Sequence, residues 1–242
     1  MELQREGGVA RIFLNRPQKV NALDSALLEH LAAAIEEAGA DDAVRVIVLA
    51  GRGKAFCGGA DINELASLDA TSARAFITRI HRACAAARKA AVPVVAQLHG
   101  AVIGAGLELA AACDLRIAAR GTRFAMPEVR LGIPSVVEAA LLPRLVGSGR
   151  TAWLVLTGEA IDARCAYEWG LVEMLCEEAE LDAQVGRVVA HLLAGDRVAL
   201  RMQKGLLQQW EEEPLAACIA ASIERFAEAY AAGAPMRRNL RL

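Results

Sequence analysis

Apolar positions along the chain change period several times, and each change predicts an element. Val9 to Leu14 alternates as a strand does, until Asn15-Arg16-Pro17-Gln18-Lys19 breaks it. From Ser25 to Ala38 the spacing becomes helical, with Leu27, Leu28, Leu31, Ala34, Ile35 and Ala38 on one face and Asp24 or Ser25 available as N-cap. Val44 to Ala50 reads as a second strand ending in Gly51-Arg52-Gly53. A longer helix over 72–90 carries Phe76, Ile80, Ala83, Cys84 and Ala87 on one side. Pro93 to Leu98 is short, apolar and β-branched, as a buried strand is; Leu107 to Cys113 is Ala/Leu-rich and helical, and Asp114 to Ala118 is strand-like again. This alternation of strands and helices predicts an α/β fold with repeated crossovers.

After Glu128 helical signals dominate. Helices are expected over 135–146, over 148–157 with a stop at Gly158, and over 162–169 with Asp162 as N-cap and Gly170 just past the end. A short strand, Leu171 to Leu175, intervenes before helices at about 180–194, 198–210 and 214–232. Their apolar stripes are wider than one neighbour covers. That divides the chain into an α/β core, 1–175, and a helical region, 176–242, suited to oligomer contacts or to core packing.

Composition narrows the function classes. The 242 residues are 55% hydrophobic and 4% aromatic, enough for a large core of Ala, Leu, Val and Ile. A net charge of −2 gives no electrostatic footprint for nucleic acid or an acidic membrane. Six scattered cysteines without a C-x-x-C pair argue against a zinc site or a disulfide framework. The polar N-terminus and the lack of a long apolar run predict a cytoplasmic protein with no membrane span.

Chemistry concentrates between His99 and Glu128. His99-Gly100-Ala101-Val102-Ile103-Gly104-Ala105-Gly106 lies between a strand and a helix, where the first N–H groups of the helix lack intrahelical partners and favour a developing anion. Lys54 to Ile62 holds the adjacent pair Gly58-Gly59, whose backbone can also present N–H groups to a ligand. Glu108, in the first helical turn, and Glu128, after Pro127, lie 20 residues apart, a separation that suits a helix, a reversal and a return to the same edge. Two carboxyls converging on one ligand are candidates for paired acid and base; taken singly, the first favours the helix dipole and the second is an ordinary solvated loop residue.

Several motifs in order resemble the enoyl-CoA hydratase/isomerase (crotonase) superfamily, over nearly the whole chain. They are Asn15-Arg16-Pro17 to Asn21-Ala22-Leu23, Phe56-Cys57-Gly58-Gly59-Ala60-Asp61-Ile62, the glycine-rich turn from His99 to Leu109 followed by Cys113-Asp114, and Leu156-Thr157-Gly158 to Gly170-Leu171-Val172. The resemblance implies a crotonase-like spiral of ββα units with a C-terminal helical trimerisation region, forming a trimer or hexamer. It implies an acyl-CoA thioester substrate of the kind handled in fatty acid β-oxidation, and no metal or redox cofactor. It assigns the oxyanion hole to the N–H groups of Ala60 and Ala105 and the acid/base pair to Glu108 and Glu128. Substrate contacts fall to Ala22, Gly59, Asp61, Ile62 and Gly104. Two glutamates resemble the hydratase branch, in which one carboxylate takes a proton from water attacking the β-carbon. The other, kept protonated by burial and its like-charged neighbour, supplies the α-carbon. By resemblance Glu128 serves the α-carbon and Glu108 the water.

Three departures from the pattern carry expectations of their own. Ala105 stands where a middle glycine is common, which narrows the site. Gly132 to Glu138 is bulkier than the usual glycine-rich continuation and adds Glu138, either a third active-site carboxylate or an ordinary polar helix residue. The chain stops at Arg237-Arg238-Asn239-Leu240-Arg241-Leu242, before the final helix many relatives have, so a pocket wall is either missing or supplied by a neighbouring subunit. Alternative reactions of the superfamily are double-bond isomerisation, hydrolysis and decarboxylation. Outside it stand a nucleotide-binding turn, for which Leu109 breaks the G-x-G-x-x-G fingerprint, a thiol hydrolase using Cys57 with His99, and a non-catalytic acyl-CoA binder.

Overall fold

The computed structural model describes residues 1–233; Arg237 to Leu242 lie outside them. Five parallel strands form most of its main sheet: β2 (Val9–Leu14), β3 (Val46–Gly51), β4 (Val94–Leu98), β6 (Leu115–Ala119) and β9 (Met174–Cys176). Their central members are apolar on both faces because both faces are covered, as a parallel sheet requires. A polar edge strand, β1 (Glu2–Glu6), pairs antiparallel with β2 through a Gly7-Gly8 turn in which both residues have positive φ. The hydrophobic pattern does not predict β1, since its side chains are largely exposed. The Gly-Gly pair ahead of an alternating run is the hairpin signal that marks it.

The crossovers are α1 (Ser25–Ala40), the single turn α2 (Ile62–Leu65), α3 (Ala70–Lys89) and α4 (Ala105–Ala111). Asp24 caps α1 by accepting from the Leu27 N–H at 2.8 Å, and Asp69 with Ser72 forms a capping box on α3. One face of each helix is buried: Leu27, Leu28, Leu31 and Ile35 on α1, and Phe76, Ile80, Ala83 and Ala87 on α3. They share one core with Ile12, Leu14, Ile47 and Leu49 from the sheet.

After β4 and after β6 the chain steps sideways into a second, smaller layer. There β5 (Ala101–Ile103) pairs parallel with β7 (Arg123–Ala125), which meets β8 (Ile161–Asp162) antiparallel. Parallel bridges Leu23↔Ala60 and Cys57↔Val102 continue this layer toward the N-terminus. Strand, sidestep, helix is the repeating ββα unit, and it stacks the loops after Leu14, Gly51 and Leu98 along one edge. The expected single turn from His99 to Gly106 is therefore two turns around β5, and α4 starts two residues earlier than the apolar pattern indicates.

The later elements are α5 (Leu142–Val146), α6 (Ser148–Thr157), α7 (Ala163–Glu168), α8 (Leu181–Ala194), α9 (Arg197–Glu212) and α10 (Leu215–Ala231). The helix expected over 135–146 is a 3-10 helix, Val137–Leu141, leading into α5. The expected strand Leu171 to Leu175 begins only at Met174; Leu171 and Val172 are buried in the connection instead. Region 176–242 is not uniform in its packing. Leu181, Val185 and Val189 of α8 cover the second face of the sheet against Val46, Val48, Val95 and Ile117. Lys204 pins α9 to the core through the carbonyls of Ala87 and Val92 and the carboxylate of Asp114. α10 lies on α9 and exposes an apolar face bearing Leu215, Ile219, Ile223, Phe226 and Tyr230. Among the described residues no helix is long and apolar enough to cross a membrane.

Candidate active site

Two loops meet where β5 ends. The first, Cys57 to Asp61, is held from both sides. Leu23 N–H donates to the Gly59 carbonyl at 2.8 Å and Asp61 N–H to the Leu23 carbonyl at 2.9 Å. Both bonds face Leu23, so in this extended stretch the Ala60 N–H, one residue out of phase, faces the opposite way. Gly59 has φ +100, and a Cβ on it would stand 3.0 Å from the Ile103 carbonyl and 4.0 Å from the Ala105 nitrogen. The two loops thus approach as closely as a residue without a side chain permits. Ala105 is the first residue of α4, where an N–H has no intrahelical acceptor. Its backbone is helical, so the methyl fits without the strain a middle glycine would relieve.

The Asn15 to Leu23 segment braces this arrangement. Asn21, fully buried with φ +55, accepts from the Arg16 N–H and donates to the carbonyls of Arg52 and Ala55, each at 2.8 Å. Arg16 donates to the Ala22 carbonyl at 2.6 Å and to Asp61 Oδ2 at 3.0 Å. Burial acts to raise the Asp61 carboxyl, but the Arg16 hydrogen bond and the N–H groups of Asn63 and Glu64 outweigh it and hold the group low. The side chain of Asp61 is thereby committed to Arg16 and to capping α2, and its backbone N–H and carbonyl are taken by Leu23 and Leu65. Ile62, beside it, is two-thirds exposed.

Gly104 joins the start of α4 to the Glu128 carboxyl. Its φ of 53° with ψ −123° is a glycine conformation, its N–H donates to the Ala125 carbonyl, and its own carbonyl accepts from Leu107 and Glu108. A Cβ there would lie 2.3 Å from Glu128 Oε1, so the Glu128 carboxylate rests directly on this residue. Glu128 Oε2 accepts from Ser135 Oγ at 2.8 Å. Glu108, 4% exposed, accepts the Ala139 N–H at 3.1 Å. Burial above all, then the charges of Glu128 and Glu138, push the Glu108 carboxyl up to about 8 against the opposing pull of the Ala139 bond. The sequence reading expects a carboxyl kept protonated by burial and a like-charged neighbour on the partner serving the α-carbon; the structure puts that effect on Glu108.

Ser135 and Ala139 are contributions that motif reading misses. One is a hydroxyl and the other a backbone group in a stretch expected to be an ordinary helix, and the turn at Val137, with φ +41, lies between them. Glu138 is not an ordinary polar helix residue: it is 6% exposed and sits within electrostatic reach of Glu108. Cys57 and His99 do not form a catalytic pair. The Cys57 thiol is buried against the Asn21 carbonyl and pushed up to about 12 by desolvation, while His99 Nε2 contacts the Gly53 carbonyl at 2.9 Å.

Known proteins resemble this chain in sequence and in fold. The sequence profile of the family "Enoyl-CoA hydratase/isomerase" matches residues 4–234. A crotonyl-CoA hydratase of Syntrophomonas wolfei is 36% identical over 207 residues, 84% of this chain and 78% of that one. A trans-2-decenoyl-[acyl-carrier-protein] isomerase of Streptococcus mutans is 32% identical over 217 residues, 86% of this chain and 82% of that one. The crystal structure of an enoyl-CoA hydratase from Mycobacterium smegmatis superimposes with a TM-score of 0.91 at 32% identity, covering 93% of this chain and 89% of that one.

Proposed function

Because the chain belongs to the enoyl-CoA hydratase/isomerase family and has the crotonase fold, we propose that it is an enoyl-CoA hydratase, adding water across the double bond of an α,β-unsaturated acyl-CoA thioester. The observation that carries this reading is the pairing of two carboxyls, Glu128 resting on Gly104 and Glu108 buried within reach of its charge, beside the start of α4 at Ala105 and the loop bearing Ala60.

The chemistry follows from those parts. As water attacks the β-carbon, the C=C electrons move toward the thioester carbonyl and negative charge gathers on its oxygen. Ala60 and Ala105 hold that oxygen with two fixed donors, each worth about 3 kcal/mol of barrier. One carboxylate takes the proton that the water loses as its C–O bond forms, and the other gives the proton that completes the α C–H bond. Glu108 acts on the water and Glu128 on the α-carbon, as the family likeness assigns. Glu108 therefore has to give up its resting proton before it can serve as base. No step calls for a metal or redox cofactor.

Isomerisation is the second reading, supported by the 32% identity to the decenoyl isomerase. It needs one carboxylate to carry a proton between two carbons, which leaves the second glutamate without a task. A panel of acyl-CoA thioesters scored for hydration, double-bond shift and CoA release separates the readings. Hydration is expected; a double-bond shift without water addition would replace it. The reading also makes the protein a homo-oligomer, a trimer or a hexamer, joined through α10. Leu215 is 76% and Phe226 67% exposed on its apolar face, an exposure that a partner would relieve.

A further inference from the structure

The proton arithmetic of this site is incomplete without an outlet. If Glu108 acts as base and Glu128 as acid, each turnover leaves an extra proton on Glu108 and one too few on Glu128, and Glu108 is walled off from solvent.

Glu138 has three features suited to that task. Its Oε1 lies 2.8 Å from Nδ1 of His81 on α3. The His81 side chain is 56% exposed, so this end meets bulk water, whereas the Glu138 side chain is 7% exposed. Glu138 Oε2 is fully buried and has no hydrogen-bond partner among the described residues. A buried carboxylate oxygen left without a donor is destabilising, so it calls for a role beyond packing. The peptide that follows Glu138 carries the Ala139 N–H bonded to Glu108, tying the two glutamates to one turn. Val137, with φ +41, sits in a conformation that a β-branched residue avoids, as expected where surrounding contacts hold Glu138 inward.

We propose, on the hydratase reading, that His81 and Glu138 form a proton relay between solvent and Glu108, with Glu138 a positioning residue for the catalytic pair. In the outward direction the Glu108 O–H bond breaks as an O–H bond forms at Glu138 Oε2. Rotation of the Glu138 carboxyl turns that O–H toward His81, its O–H bond breaks as an N–H bond forms at His81 Nδ1, and the Nε2–H bond breaks to give a proton to water or buffer. Only protons move, and each bond broken is matched by one formed. The titratable groups facing Glu138 are His81 and Cys84 from α3, Glu108 from α4 and, beyond it, Glu128 after β7. Among the described residues no Arg or Lys pairs with Glu138; its basic partner is His81.

The test is turnover of the best thioester by the wild-type protein, His81→Ala and Glu138→Gln, in dilute and in imidazole-rich buffer. His81 is exposed and its removal leaves the core intact. The relay predicts that His81→Ala lowers kcat about tenfold or more in dilute buffer, within the range for a missing acid–base group. Imidazole restores it, because a soluble base replaces the lost ring. Glu138→Gln loses a similar factor that imidazole does not restore, since the amide cannot take up and pass on a proton. Equal kcat for wild type and His81→Ala in dilute buffer overturns the relay, as does a His81→Ala defect indifferent to imidazole, which marks a structural role. A wild-type protein that turns over no thioester removes the hydratase reading, and the relay with it.

Discussion

Replacing Glu108 by Gln has a consequence for stability that can be worked from the structure. The carboxyl rises from an ordinary 4.5 to about 8 on folding, chiefly through burial, then through Glu128 and Glu138. A group whose pKa is raised on folding binds its proton more tightly in the folded state. Its contribution is therefore fully present below the unfolded value and is lost as pH climbs through the folded one. The full shift corresponds to roughly 5 kcal/mol, and the part lost between about pH 6 and pH 9 is about half of it. That is a large share of the 5–15 kcal/mol typical of a folded domain. Gln keeps the shape and the acceptor for the Ala139 N–H but has no proton to lose. Urea unfolding at a fixed subunit concentration should thus show the wild-type protein weakening between these pH values by about 2 kcal/mol more than Glu108→Gln. Parallel pH dependence in the two proteins would refute the assignment of a displaced carboxyl to Glu108.

Gly104→Ala should cost about 1–3 kcal/mol of stability, because its φ of 53° with ψ −123° suits only glycine and the new methyl would meet Glu128 Oε1; thermal unfolding and kcat report the strain and the displaced carboxylate. Ser135→Ala removes the hydroxyl bonded to Glu128 Oε2 and should lower kcat about tenfold with KM little changed; a shift confined to KM would place Ser135 in substrate binding instead. Light scattering should give the mass of a trimer or hexamer, and Phe226→Glu should shift it toward the monomer; a wild-type monomer at micromolar concentration would contradict the oligomer.

How much of this was legible in the sequence depends on whether a feature is periodic. Helices α1 and α3 declare themselves because each buries a regular face, β2 by its alternation and β3 and β4 as short, continuously apolar runs, and the two carboxyls are marked by their place around the glycine turn. β1 shows no such face, since its residues are polar and largely exposed. β5 and β7 are three residues each, too short for an alternation to register. The contacts of Ser135 and Ala139 lie on either side of the turn at Val137, which no local pattern encodes. Glu138 could be left between surface and site because its meaning rests on two partners distant in sequence, His81 and Glu108. The same holds for the proton: which glutamate is displaced depends on how deeply each is buried, a property of the assembled core.

The two-carboxyl mechanism is tested most directly by kcat for hydration of a short enoyl-CoA such as crotonyl-CoA, measured for the wild-type protein, Glu108→Gln, Glu128→Gln and the double variant. Each single change should lower kcat about a hundredfold or more, the usual scale for a positioned acid or base. The double variant should lose less than the product of the two, because removing one group already disables the step that the other assists. Near-wild-type turnover in both single variants would contradict the account.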